Sequence, residues 1–243
     1  MKSLFLIPII FYLITPVSMW GQLSGVSLLV GGEIATHRLV SPMDASDLEF
    51  GFGFARTKAE PEQSFFVGAR ADWTVKGQFG VQTQIDYGQV IYSSFFRDPT
   101  EDNIIFGPLR RGLFYAHDRV DVSVLPSYRI ELNKLEIIPK IGVTYSFPVR
   151  KTDHIDKVAD RPGQVRAINI QNALNRSFGG SVVKLNAGID VGYGRFLLHL
   201  NLRHQISSAS NGPIKVEDVP IPIAFDNRIT AFQFGLGYRL LQF

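Results

Sequence analysis

Residues 64–96 read SFFVGARADWTVKGQFGVQTQIDYGQVIYSSFF, and this stretch decides the fold. It holds two runs in which apolar and polar residues alternate, joined by the turn Lys76-Gly77-Gln78. Because successive side chains of a strand point to opposite faces, each run has one apolar face and one polar face. Each run also reaches the roughly 9–11 residues that a tilted strand needs to cross a bilayer. The stretch therefore predicts a hairpin of two membrane-spanning strands.

The same alternation recurs along the chain. Eight strands are predicted, over 26–37, 64–75, 79–96, 118–130, 135–147, 180–191, 195–206 and from 229 onward. Short turns follow the second, fourth and sixth strands, whereas long connections follow the others, over 38–63, 97–117, 148–179 and 207–228. An even strand count with short turns at one end and long loops at the other is typical of outer-membrane barrels. The sequence therefore predicts an all-β fold, an eight-stranded antiparallel up-and-down transmembrane β-barrel.

The first 21 residues have the pattern of a secretory signal peptide. Lys2 precedes an apolar run over 4–17, and small residues then suit cleavage before Gln22. That run is too short to span a membrane as a helix, and no later segment reaches 18 consecutive apolar residues. We expect a cleaved leader over 1–21 and an exported barrel domain over 22–243.

The composition excludes several classes of function. The chain has no Cys, which excludes disulfides, thiolate metal sites and Cys nucleophiles. Its five His residues are scattered without ligand spacing, so we expect neither a metal nor a cofactor. The formal charge is only +3 and no run of Lys and Arg occurs, so nucleic acid is not an expected partner.

Alternation alone does not say which face points outward, so a soluble barrel with an apolar interior is the alternative. Glycines on the polar face favour the membrane barrel, because they weaken a solvated strand but make room in a narrow bore. These glycines are Gly31, Gly68, Gly80, Gly142, Gly188, Gly235 and Gly237. Aromatic residues near strand ends suit the girdles at membrane interfaces, and they are Phe65, Trp73, Tyr87, Tyr128, Phe147 and Tyr193. We expect the bacterial outer membrane, with its lipid and lipopolysaccharide, as the surroundings.

The polar face carries six basic and six acidic residues. Unpaired charge in a narrow bore is very costly, so a balanced set predicts a cross-linked polar core. An ion path is the alternative, but eight strands enclose a space that side chains fill. His199 is expected to pack in the same lumen. The predicted lumen charge network consists of Glu33, Arg70, Asp72, Asp86, Asp121, Arg129, Glu136, Lys140, Lys184, Asp190, Arg203 and Arg239.

A lipid-modifying hydrolase is a second alternative, because lipid A deacylases are small barrels that pair a Ser nucleophile with a His base. In those enzymes the two residues lie two positions apart on one strand face. Here Ile206 stands two positions after His204, and Ser207 faces the opposite side. We therefore expect no enzymatic activity and no catalytic residues.

Two stretches fall outside the strand scheme. Apolar residues alternate over 47–56, which we interpret as a strand within the first long connection or as the upper part of the second strand. A different register for the first two strands is the alternative. The connection over 148–179 holds six basic and three acidic residues. Its charge suits lipopolysaccharide phosphates or a partner protein, with simple solvation as the alternative.

The region 22–243 resembles the small eight-stranded outer-membrane barrel family of Bacteroidota, the PorT-type barrels. The matching motifs are Phe66-Val67-Gly68, the strand over 79–88, Leu125-Pro126, Leu202-Arg203-His204 and the run over 234–239. His204 stands where the family usually has Tyr. The resemblance implies a barrel without catalytic residues, and some family members resemble accessory factors for protein secretion. We expect a non-enzymatic anchor and interaction scaffold that contacts an envelope protein through its long loops, with a small channel as the alternative.

Overall fold

The computed structural model describes residues 21–40, 62–97, 110–152, 180–207, 214–216, 219–221 and 226–243. Residues 1–20 of the predicted leader over 1–21 lie outside these ranges, as do the alternating run over 47–56 and most of the basic connection, over 153–179. Within the described ranges, no helix is long and apolar enough to cross a membrane.

The described residues form a closed antiparallel sheet. Their eleven strands are β1 (Gln22–Val40), β2 (Glu62–Lys76), β3 (Phe79–Arg97), β4 (Arg110–Tyr128), β5 (Ile130–Leu132), β6 (Leu135–Thr152), β7 (Val182–Tyr193), β8 (Phe196–Gln205), β9 (Ile214–Val216), β10 (Val219–Ile221) and β11 (Asp226–Gln242). Eight of them form the wall, in the ring order β1, β2, β3, β4, β6, β7, β8, β11, and β11 pairs back onto β1. β5 continues β4 after a break at Arg129, and β9 pairs with β10. The predicted eight-stranded antiparallel barrel is confirmed.

Three two-residue turns connect strands at one end, which we call the short-turn end. They begin at Gly77, Asn133 and Gly194, whose φ angles are 57°, 56° and 57°. A positive φ is costly for most side chains and is adopted readily by Gly and, less so, by Asn. The predicted turn over 192–194 is therefore placed too early, because Gly192 and Tyr193 still belong to β7 and only Gly194 reverses the chain.

At the opposite end, several strands continue beyond the predicted bounds. β3 and β4 have 19 residues each and pair without a break as far as Arg97 and Arg110. Such a strand is about 60 Å long at 3.3 Å per residue. The hydrocarbon core is only about 30 Å thick, so even strongly tilted strands project beyond it. The predicted connection over 97–117 is thus wrong for 110–117, which is strand. We call the paired segments 91–97 and 110–116 the β3–β4 ribbon.

The two faces of the wall differ sharply in polarity. Ile141 and Leu236, on the outer face, are 66% and 65% exposed. Gln84, Asp190 and His199, on the inner face, are fully buried. On all eight wall strands the apolar face points outward, as the alternation predicts. A soluble barrel with an apolar interior would have the opposite arrangement.

Glycines on the inner face lie where the wall is crowded. A Cβ at Gly68 would lie 2.1 Å from Oδ1 of Asp86, so this glycine makes room for a polar side chain, as predicted. A Cβ at Gly31 would instead lie 2.1 Å from the carbonyl oxygen of Phe234, on the neighbouring strand. At Gly31 the limiting contact is therefore with backbone, because the inner surface of a small barrel is strongly curved.

Candidate functional site

The lumen is lined by charged side chains from every strand of the wall. Eleven of these side chains belong to buried residues, and they are Glu33, Arg70, Asp72, Asp86, Arg119, Asp121, Lys140, Lys184, Asp190, Arg203 and Arg239. Ion pairs sort them into two clusters inside the barrel and one pair at the short-turn end. Buried charge is costly unless it is paired. Because charged side chains are concentrated here, we take these three groups as the candidate functional site.

The first group, which we call the Asp190 cluster, consists of Arg70, Asp72, Lys140, Asp190 and His199. Arg70 donates from Nη1 to Oδ2 of Asp190 at 2.6 Å, and Lys140 donates from Nζ to Oδ1 at 2.5 Å. Nδ1 of His199 lies 2.9 Å from the same Oδ1. Because β2 and β7 stand opposite each other in the ring, the Arg70–Asp190 pair crosses the bore.

Arg70 also binds the second carboxylate of this cluster. Its Nε lies 3.1 Å from Oδ1 of Asp72, and its Nη2 donates to Oδ2 at 3.2 Å. Gln82 adds a longer bond of 3.4 Å from Nε2 to Oδ2 of Asp190, and the Phe66 ring lies 5.9 Å from the ring of His199. With two cations and two carboxylates, the cluster is neutral when His199 is neutral.

The second group, the Asp121 cluster, lies closer to the long-connection end. Its acids and bases alternate as a chain, from Glu33 through Arg119, Asp121 and Arg203 to Asp86. Arg119 Nη2 is 2.6 Å from Glu33 Oε2, and Arg119 Nε is 3.2 Å from Asp121 Oδ2. Arg203 places Nη1 2.7 Å from Asp121 Oδ2 and Nη2 2.5 Å from Asp86 Oδ2. The sixth member, Lys184, lies 3.4 Å from the same Asp121 oxygen.

Amides complete the bonding of the outer carboxylates in this cluster. Gln233 donates from Nε2 to Oε2 of Glu33 at 2.7 Å. Gln84 directs its Nε2 at both oxygens of Asp86, at 2.8 and 2.9 Å. Three cations therefore face three carboxylates, and the Asp121 cluster is neutral like the Asp190 cluster.

The third group is the pair of Arg239 and Glu136 at the short-turn end. Arg239 uses both Nη atoms, at 3.0 and 2.5 Å from the two Glu136 oxygens. It also donates to the carbonyl oxygen of Gly194 at 3.2 Å, which ties the pair to a turn. This group, too, is neutral.

The structure places eleven of the twelve predicted network residues in these three groups. The exception is Arg129, which is half-buried at the break between β4 and β5. There it helps to line a cavity of about 70 Å³ together with Ser24, Asp72 and Gln82. Conversely, Arg119 belongs to the Asp121 cluster and was not predicted. It stands two positions before Asp121, so the period of two along β4 could have revealed it.

Chemistry other than ion pairing has little support in the described residues. They contain no group of three or more His, Asp and Glu side chains arranged to hold a metal ion. His204 is exposed on the outer face, with Nδ1 2.9 Å from Oγ1 of Thr230. Ser207 instead accepts a hydrogen bond from the backbone N–H of Val183 at 2.7 Å. The two side chains therefore have separate partners.

An apolar exterior around a charged, ion-paired interior defines the class of protein. Exposed apolar surface over the whole wall is stable only in contact with lipid, and a closed sheet leaves no backbone group unpaired there. The chain is a small transmembrane β-barrel of the bacterial outer membrane.

No protein-family model matches the chain, and no curated protein matches it significantly. Among solved structures, OprG of Pseudomonas aeruginosa is similar at 12% identity and a TM-score of 0.45, over 91% of this chain and 98% of that chain. Ail, the attachment invasion locus protein of Yersinia pestis, shares 12% identity with a TM-score of 0.41, over 89% and 99%. The outer membrane protease OmpT of Escherichia coli shares 10% identity with a TM-score of 0.36, over 90% and 98%.

Proposed function

We propose that this barrel is a non-enzymatic membrane anchor that presents a binding surface to another protein of the cell envelope. The β3–β4 ribbon carries the proposal. Its backbone pairing is continuous from Phe79 and Tyr128, at the short-turn end, to Arg97 and Arg110. The closed barrel fixes the orientation of a ribbon that continues its wall. Such a ribbon suits binding, because binding sites are commonly built on segments that a rigid scaffold supports.

A second strand pair also favours presentation at the long-connection end. β1 and β11 remain paired up to Val40 and Asp226. Their neighbours are shorter, since β2 begins at Glu62 and β8 ends at Gln205. Among the described residues, these two strand pairs therefore extend further toward the long-connection end than β2 and β8 do, and they offer a partner or lipopolysaccharide a second projecting surface.

The ion-paired lumen favours an anchor over a channel. Arg70 with Asp190, and Arg203 with Asp86, join strands that are opposite in the ring. Ions would have to disrupt these buried pairs in order to pass, and breaking such pairs is strongly unfavourable. We expect no steady conductance from the purified protein in planar bilayers, and lasting openings on a nanosiemens scale would favour the channel instead.

The proposal can be refined by the sequence resemblance to PorT-type barrels of Bacteroidota. We propose on that basis that the partner belongs to a machinery for envelope protein secretion. Deletion of the gene should then reduce the amounts of secreted proteins without changing the permeability of the outer membrane. A deletion strain with normal secretion would remove this refinement and leave the anchor proposal standing.

Site-specific photo-cross-linking in intact cells tests the anchor proposal. A photoreactive residue replaces Ser94 or Leu113, which are paired across the β3–β4 ribbon. The matched control carries it at Leu200, on the lipid-facing wall. We expect a discrete protein adduct from the two ribbon positions and none from position 200. No adduct from either ribbon position, together with altered lipid A in the His204→Ala or Ser207→Ala variant, would instead favour the hydrolase.

A further inference from the structure

The outer wall has a concave region on β2 and β3. Small side chains point outward there, from Ala69, Ala71 and Thr83, and leave a groove of about 160 Å³. Ile85 and Val122 also line it. The wall formed by β8 and β11 presents large side chains instead, from Leu198, Leu200, Leu202, Phe232, Phe234 and Leu236. The groove is thus a local feature of the wall.

The groove is apolar although four polar residues lie along it. Arg70, Gln84 and Ser123 are buried with their side chains in the lumen, so Thr83 is the polar side chain on the outer face. The indole Nε1 of Trp73 donates a hydrogen bond to Oγ1 of Thr83 at 3.1 Å. This bond satisfies the indole N–H and engages the hydroxyl, so the methyl groups of Thr83, Ala69 and Ala71 remain as the lining. Such a surface offers no hydrogen bond to a polar ligand, and burial of a polar group against it is unfavourable.

The position of Trp73 sets the depth of the groove in the membrane. Trp73 lies two residues from Ala71 on the same face and close to the turn that begins at Gly77. Tryptophan is enriched at membrane interfaces, where its ring is apolar and its N–H polar. The groove therefore begins just inside the interface on the short-turn side, within the leaflet on that side.

We propose that this groove binds an acyl chain of a phospholipid from the leaflet on the short-turn side. The groove is continuous with the lipid-facing surface, so hydrocarbon chains surround it already. A flexible chain fills a narrow groove and restores the dispersion contacts that an empty groove lacks. A second barrel is a poorer occupant, because a stable interface needs roughly 1,000 Å² or more and a convex wall does not enter a groove two strands wide.

Native mass spectrometry tests the proposal. The full chain is reconstituted in vesicles of phosphatidylethanolamine and phosphatidylglycerol, extracted in mild detergent and weighed with its retained lipid. Ala71→Leu places a larger side chain in the groove, and Ala69→Leu is a second variant in case the first misfolds. Ala187→Leu, on the outer face of β7, is the matched control. Heat-modifiable gel migration shows that each variant is folded.

We expect the parent and Ala187→Leu to retain one phospholipid more per chain than Ala71→Leu and Ala69→Leu. Fluorescence supplies a second readout, since Trp73 is the sole tryptophan of the barrel domain over 22–243. In vesicles with mid-chain brominated phosphatidylcholine, Trp73 should be quenched at least twofold more strongly in the parent than in Ala71→Leu. Equal lipid retention and equal quenching in parent and Ala71→Leu would overturn the proposal. So would a dimer that Ala71→Leu abolishes, which would identify a second copy as the occupant.

Discussion

The Asp190 cluster and the Asp121 cluster are both buried and neutral, but they are connected differently. In the Asp190 cluster, two cations, an amide and an imidazole converge on one carboxylate. In the Asp121 cluster, Arg119 and Arg203 each bind two carboxylates, so the charges form a chain with alternative partners. Both clusters have a central carboxylate, since Arg119, Lys184 and Arg203 all contact Asp121. The Asp121 cluster differs in having two arginines that are shared with outer acids, whereas the Asp190 cluster has one, Arg70.

The difference shows that a neutral lumen does not necessarily tolerate the loss of one charged residue. Both clusters balance their charges, so neither leaves net charge in the bore. Loss of the central Asp190 removes the ion pair of Lys140, whereas loss of the outer Asp86 leaves Arg203 paired with Asp121. Removing one partner of a buried pair is more harmful than never having the pair, because an uncompensated charge remains.

The largest effect is expected for Asp190→Asn. The substitution keeps the shape of the side chain but leaves the charges of the Asp190 cluster unbalanced. We expect the free energy of unfolding to fall by about 3–5 kcal/mol, the usual cost of breaking a buried pair. Urea titration in lipid vesicles, followed by Trp73 fluorescence and by gel migration, measures the change. A loss no larger than that of Asp86→Asn would contradict the convergent description of this cluster.

The double variant Asp190→Asn with Lys140→Met sharpens the same test. It removes the cation together with the carboxylate and leaves Arg70 paired with Asp72, so the cluster is neutral again. We expect at least half of the stability lost in Asp190→Asn to return, as coupling between contacting residues predicts. Lys140→Met alone is the control, and its loss should be smaller than that of Asp190→Asn because Asp190 still binds Arg70.

Leu200→Arg tests whether the two faces are assigned correctly beside the Asp190 cluster. Leu200 follows His199 on β8 and points to lipid, while His199 points into the lumen. An arginine near the bilayer midplane should lower the free energy of unfolding by roughly 2–4 kcal/mol. Leu200→Phe is the apolar control and should change stability little. A tolerated arginine in the same urea titration would mean that this face does not contact hydrocarbon.

Asp86→Asn removes one end of the chain in the Asp121 cluster. Arg203 keeps its 2.7 Å contact with Asp121, so no cation loses all its acidic partners. We expect a loss of about 1–3 kcal/mol, which corresponds to charge-assisted hydrogen bonds rather than to a broken pair. The same titration measures it. A loss equal to that of Asp190→Asn would show that an outer carboxylate contributes as much as a central one.

The smallest effects are expected for the supporting amides. Gln82 bonds Asp190 at 3.4 Å, whereas Gln233 bonds Glu33 at 2.7 Å. A typical hydrogen bond contributes about 0.5–1.5 kcal/mol net. We expect Gln82→Leu to fall at the low end of that range and Gln233→Leu at the high end. The opposite order would indicate that the Asp190 cluster depends on its amide more than the distance suggests.

The alternation in the sequence predicted the barrel because lipid imposes it. A residue facing hydrocarbon must be apolar and its neighbour in sequence faces the lumen, so the inward side of each strand could be read directly. The same reason explains the error over 110–117. The alternation is lost there, at Leu113, Phe114 and Tyr115, although the segment is part of a strand. A strand segment that projects beyond the membrane does not contact lipid, so its sequence need not alternate.

The grouping of the charges could not be predicted in the same way. The alternation of side chains shows which face of the sheet a residue lies on, but not its position along the barrel axis. Which charges meet depends on the register between neighbouring strands. Arg70 and Asp190 are separated by 120 positions, and Arg203 and Asp86 by 117. Arg129 has the correct phase, yet β4 breaks at that residue and leaves it at the rim. The register that decides these outcomes is a property of the closed wall.

The pairing of β1 with β11 has a consequence for biogenesis. This seam joins the first wall strand to the last, from Gly25 with Gln242 to Val40 with Asp226, and Phe243 adds a backbone bond to Ser24 at 3.0 Å. Strand edges cannot remain unpaired in hydrocarbon, so insertion cannot be completed in stages as synthesis proceeds. In a chain truncated before Asp226, the edges of β1 and β8 would have no partner strand. We expect such a chain to aggregate in the periplasm instead of forming a smaller barrel. Translation must therefore reach β11 before any part of the wall becomes stable in the bilayer.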